Sequence, residues 1–191
     1  KKASYQEGTV SIFTNIGLFV LKYWAGLVSG SVALIADAWH TLSDSLSSII
    51  VIAGAKLSSK HADKKHPFGH GRWEYINSIF IGVLLGIIAY DLIKDSIINF
   101  REKDSANFGT IAIVVTIVSI VVKEALAQYA FFLGRKTGST TLKADGWHHR
   151  TDALSSLIIL VGIFFRDTFW WIDSVLGVIV SLMLFYAAYE I

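Results

Sequence analysis

The sequence predicts an all-α membrane protein with six transmembrane helices, both termini cytoplasmic, and two three-helix halves arranged like an inverted repeat. Three observations lead there. Hydrophobic residues make up 53% of the chain, mean hydropathy is +0.55, and one proline interrupts 191 residues, a composition far from the soluble norm. Six apolar blocks can be counted, each close to the ~20 residues that a bilayer crossing needs. One phrase also occurs twice: Ala36-Asp37-x-Trp39-His40-x-x-x-Asp44-x-Leu46-Ser47-Ser48 returns 108 residues later as Ala144-Asp145-x-Trp147-His148-x-x-x-Asp152-x-Leu154-Ser155-Ser156.

The blocks run over residues 8–29, 31–57, 73–98, 107–133, 141–165 and 170–190. The first carries Lys22 and the fourth carries Lys123 and Glu124, which are expected to pair or to reach toward water near helix ends. The second and fifth carry the two copies of the repeated phrase. The sixth opens with Asp173, expected to act as a cap. Residues 1–191 are thus one six-helix transmembrane domain with no room for a separate soluble one. No basic–apolar–small-residue cleavage pattern opens the sequence, so no removable signal peptide is expected. A net charge of +2 is too small to suggest nucleic acid, and with no cysteine there are no disulfides or thiolate metal ligands.

Orientation follows from the basic residues in the connections. Lys1, Lys2, Lys60, Lys64, Lys65, Arg72, Arg135, Lys136 and Lys143 fall on one side. Arg101, Lys103 and Arg166 fall on the other. The positive-inside rule puts the first set, and both termini, in the cytoplasm.

The repeated phrase places acid and imidazole where lipid-spanning helices normally carry neither. His and Asp at i and i+4 lie one above the other on one helix face. The copies sit on the middle helix of each half, and three spans per half give the halves opposite topology. Such inverted repeats bind their substrate near the midplane. At ~1.5 Å per residue, His40 and His148 both lie roughly 10–15 Å into a core ~30 Å thick. Two facing helices then offer two imidazoles and two carboxylates, a full tetrahedral set for a divalent cation such as zinc. Ser47, Ser48, Ser155 and Ser156 read as packing contacts. Asp37 and Asp145, nearer the helix ends, read as capping or structural partners. His149 points ~100° away from His148 around the helix and reads either as supporting a ligand from behind or as interfacial.

With Asp37-Ala38-Trp39-His40-Thr41-Leu42-Ser43-Asp44, His66-Pro67-Phe68-Gly69-His70-Gly71-Arg72 and His148-His149-Arg150-Thr151-Asp152, the chain resembles the transmembrane domain of the cation diffusion facilitator family of proton-coupled zinc transporters. The resemblance spans essentially the whole chain. It implies that His40, Asp44, His148 and Asp152 form the transport site, that the protein is a homodimer, and that metal export is exchanged for protons. Nitrogen and carboxylate oxygen in tetrahedral geometry suit zinc, while manganese and magnesium favour oxygen-rich octahedral sites. Cd2+, Co2+, Mn2+ or Fe2+ remain candidate cargoes beside Zn2+.

Asp63, His66 and His70 form a second candidate metal site in the connection after span two, peripheral to the pathway; His61 falls outside its pattern. Arg150 is expected to pair with an acid or a carbonyl. Arg72 matches a basic position that the resemblance associates with the dimer, and its acidic partner would lie beyond Ile191. Family members usually continue into a cytoplasmic metal-sensing domain, which these residues do not include. The connection between spans four and five has no histidine-rich insertion, which favours a prokaryotic cytoplasmic membrane.

Two rival classes remain. An intramembrane zinc hydrolase needs an open coordination position and a nearby general base, yet four ligands are offered and no Glu adjoins either motif. A membrane-embedded metal sensor or scaffold would bind zinc without moving it.

Overall fold

The computed structural model describes residues 2–58, 73–103, 106, 108–165 and 168–190. Among these it contains six α-helices and no strand: α1 (Lys2–Ser29), α2 (Val32–Ser58), α3 (Trp73–Glu102), α4 (Thr110–Thr137), α5 (Thr140–Phe165) and α6 (Ile172–Glu190). The bounds agree with the six apolar blocks to within a few residues, except that α1 begins earlier. By length and composition alone, Gln6–Ser29, Thr110–Thr137 and Ile172–Glu190 qualify as spans. The three remaining helices include both that carry the repeated phrase, and ionic side chains dilute their apolar character.

Helices α1, α2, α4 and α5 form a four-helix group: α1 packs on α2, α4 on α5, α1 on α4, and α2 more sparsely on α5. Helices α3 and α6 pair with each other and lean on α2. The apolar core lies between these two groups, with Leu34, Leu85, Ile159 and Leu184 almost wholly buried. Long apolar side chains such as Phe13, Ile79, Phe80 and Phe164 point outward, as expected of surfaces that face lipid rather than water.

The repeat is longer than the quoted phrase. Helix α1 ends at Gly30 (φ 65°) and α4 ends at Gly138 (φ 70°), both in the left-handed region that glycine enters without penalty. Each is followed by a serine that caps the next helix: Ser31 Oγ accepts from Leu34 N at 3.1 Å, and Ser139 Oγ from Leu142 N at 3.4 Å. The two glycines are offset by 108 positions, and so are the two serines. The repeated tryptophans also dock alike on the preceding helix, Trp39 against Phe19 at 5.2 Å and Trp147 against Phe131 at 5.6 Å between ring centroids. Each half therefore contains one tight helical hairpin.

Asp173 caps a different helix from its own. Its carboxylate accepts from Ser31 Oγ and, at 3.1 Å, from Val32 N, so the first turn of α6 ties down the start of α2.

Candidate metal centre

The geometry of the site follows from the length of the turn that opens each hairpin. His40 lies eight residues into α2 and His148 eight residues into α5, so each sits ~12 Å from its own helix start. Asp44 and Asp152 are one turn deeper, at ~18 Å. If the helices enter a ~30 Å core from opposite sides, each histidine comes level with the aspartate of the other helix. The structure shows this crossed arrangement. His40 Nε2 is 3.7 Å from Asp152 Oδ1, and His148 Nε2 is 3.4 Å from Asp44 Oδ1. His148 Nε2 is also 3.8 Å from Asp152 Oδ2 on its own helix.

Ligand atoms of His40, Asp44 and Asp152 all lie within 4.8 Å of one another. Two donors at ~2.1 Å from one tetrahedral zinc are separated by about 3.4 Å, so the 3.4–3.8 Å separations here suit one shared cation. The four side chains differ in exposure. His40, Asp44 and Asp152 are 12%, 11% and 7% accessible, while His148 is 47% accessible. His148 thus forms the open edge of an otherwise enclosed site. His40 Nδ1 is buried without a hydrogen-bond partner.

A lysine also reaches into this group. Lys123, wholly buried at the middle of α4, places Nζ 2.6 Å from Asp152 Oδ2 and 3.4 Å from Asp44 Oδ2. Lys22 is equally buried and bonds to Asp37 Oδ2 at 2.8 Å and to Thr41 and Ser156 at 3.0 and 3.3 Å. Both lysines were expected near helix ends. The structure corrects this: they pair, but in the interior, where their ammonium groups neutralise buried carboxylates that would otherwise be strongly unfavourable. Asp37 is correspondingly buried rather than hydrated, and Ser156 Oγ donates to it at 3.2 Å. Arg150 pairs with Glu124 at 2.7 Å and covers the faces of Phe131 and Trp147, as expected for a cation on the far side of α5 from His148.

His149 is buried and faces α1, where Ser11 Oγ lies 3.1 Å and Glu7 Oε1 3.6 Å from its Nε2. Asp145, one turn earlier, is 3.8 Å from the same nitrogen. Glu7 was not singled out from sequence; a lone acid in the first turns of a span looks like an interfacial residue until its partner is known. Asp63, His66, His70 and Arg72 lie outside the described residues, as do the side chains of Ser47 and Ser48.

Residues 8–191 match the family model of the cation efflux transmembrane domain. Among curated proteins, the chain is 41% identical to an uncharacterized transporter of Methanocaldococcus jannaschii over 95% of its own length and 65% of the relative's. It is 35% identical to the magnetosome protein MamB of Magnetospira sp. (80% of this chain, 52% of the relative). It is 28% identical to the manganese efflux system protein MneP of Bacillus subtilis (100% and 67%). The chain therefore spans between about half and two thirds of these relatives.

Proposed function

We propose, from the premise that the chain belongs to the cation efflux family as its transmembrane domain, that it carries a divalent metal ion out of the cytoplasm by alternating access, in exchange for protons. The crossed pairing of His40 with Asp152 and of His148 with Asp44 carries this reading. Each pair takes one residue from the hairpin of either half, so an ion held there is gripped by both halves at once. Relative movement of the halves can then open the site to one side or the other.

Zinc is the cargo this donor set favours, since two imidazoles and two carboxylates suit a tetrahedral borderline ion. The manganese named for the Bacillus subtilis relative makes Mn2+ the first competitor to test, followed by Cd2+, Co2+ and Fe2+. Zinc binds neutral imidazole, so loading expels any proton the histidines hold. This is the chemical basis for exchange. The resemblance supplies the homodimer, and the basic connections supply an orientation with both termini cytoplasmic.

The test is metal flux into sealed proteoliposomes. Replacing His40, Asp44, His148 or Asp152 singly with Ala is expected to abolish zinc flux in protein that still folds. Near-normal flux in two or more of the four variants would overturn the assignment. Zinc binding without any flux in the unaltered protein would instead indicate a sensor or scaffold.

A further inference from the structure

The two copies of the repeat present a second pair of equivalent positions, and these meet α1 at two heights with opposite charge. Asp37 and Thr41 are equivalent to Asp145 and His149, offset by 108. The first pair receives the Lys22 ammonium, 2.8 Å from Asp37 and 3.0 Å from Thr41. The second pair receives Glu7. Where the first position has its own cation, the second has an additional carboxylate.

Among the described residues, neither Glu7 nor Asp145 carries a Lys or Arg ion pair; the one basic side chain at each is His149. Ligand atoms of Glu7, Asp145 and His149 all lie within 4.8 Å of one another. The separations from His149 Nε2, 3.6 Å to Glu7 and 3.8 Å to Asp145, are close to the ~3.4 Å edge of a tetrahedral zinc site. Glu7 is 3% exposed, and its Oε1, turned toward His149 Nε2, has no hydrogen-bond partner. An unsatisfied buried carboxylate oxygen is strongly unfavourable, and a cation bound there would relieve it. Ser11 Oγ, 3.1 Å from the same nitrogen, supplies a further oxygen. Asp145 is 35% accessible and leaves a way in.

We propose that Glu7, Asp145 and His149 form a second site for a divalent cation of the zinc type, separate from the quartet, at the end of the bundle where α1 and α5 begin. The rings of His148 and His149 are 5.9 Å apart, so an ion at this site is adjacent to the open edge of the quartet. The site stands on its own residues, whether or not the quartet moves its ion.

The experiment is a count of zinc bound at saturation to the full chain purified in detergent. Glu7→Gln and His149→Gln are each expected to remove one ion per chain. The pair His40→Ala with Asp44→Asn, both on α2, is expected to remove a different one. Combining Glu7→Gln with that pair is expected to remove two. Glu7→Gln keeps the shape of the side chain and decides the matter even if His149→Gln fails to fold. An unchanged count in folded Glu7→Gln protein, or a combined variant that loses only one ion, would overturn the proposal.

Discussion

Lys123 Nζ lies 2.6 Å from Asp152 Oδ2, the shortest link between any cation and a member of the quartet among the described residues. A metal ion that takes Asp152 as a ligand has to displace this ammonium or share the carboxylate with it. The tethered cation would therefore compete with a metal ion bound there, and it pairs with two buried carboxylates in the metal-free structure.

Lys123→Met is accordingly expected to tighten zinc binding by ~10-fold or more while lowering the thermal stability of the metal-free protein. Removing one partner of a buried pair costs roughly 3–5 kcal/mol because a charge is left uncompensated. Zinc would then restore more stability to the variant than to the unaltered protein. Calorimetric titration and thermal unfolding with and without zinc measure both effects. Weaker zinc binding by folded Lys123→Met protein would contradict the competition.

Asp173→Ala is expected to destabilise the bundle without touching the metal centre. It removes the acceptor for Val32 N and for Ser31 Oγ, and loss of a helix cap typically costs about 0.5–2 kcal/mol. A lower unfolding temperature with an unchanged bound-metal count is the expected pair of results. A lost metal would show that the start of α2 positions His40 more directly than this reading holds.

His40→Asp exchanges a nitrogen donor for oxygen. Relative transport of manganese or cadmium against zinc is expected to rise, since harder ions prefer oxygen. Competition flux assays on both proteins give the ratio. An unchanged order of preference would place selectivity in the shape of the pocket.

Asp63→Ala, His66→Ala and His70→Ala are expected to alter bound-metal count or apparent affinity while leaving measurable flux. Flux abolished as fully as in the quartet variants would put this connection on the pathway.

Proton exchange gives a signed expectation. Free histidine titrates near pH ~6.5 and binds zinc only when neutral. Zinc affinity should therefore weaken as pH falls, because protons then compete with zinc for His40 and His148. A medium more acidic outside than inside should drive export, and the opposite gradient should slow it. Simultaneous zinc and pH readouts in sealed vesicles measure the coupling. Zinc movement with no proton countermovement would indicate a uniporter or channel.

The six helices were legible because each apolar run is long and the breaks between them carry glycine, serine or charge. The quartet was legible because an ionisable pair at i, i+4 recurs in two spans. Its crossed pairing could also have been anticipated, since equal depth from opposite faces brings His40 level with Asp152. The two lysines were read differently. A lone cation in a span usually reaches for water, and the sequence pattern does not show which carboxylate it meets. Position held a clue: Lys123 is 13 residues into a helix that starts at Thr110, too deep to reach either surface easily. Glu7 escaped notice because its partners are 138 and 142 residues away along the chain. Neither glycine–serine turn is marked by the repeated phrase, which begins only at Ala36 and Ala144.

The two glycine–serine turns leave almost no slack between α1 and α2 or between α4 and α5. Each pair is stapled at one end by a single left-handed residue and a capping hydroxyl, so neither helix can slide along its partner without unwinding the turn. The domain then behaves mechanically as two stiff tongs, with freedom left at the seams where α1 meets α4 and α2 meets α5. The Lys22–Asp37–Ser156 contact spans one of those seams, so the two hairpins could part there only after it breaks.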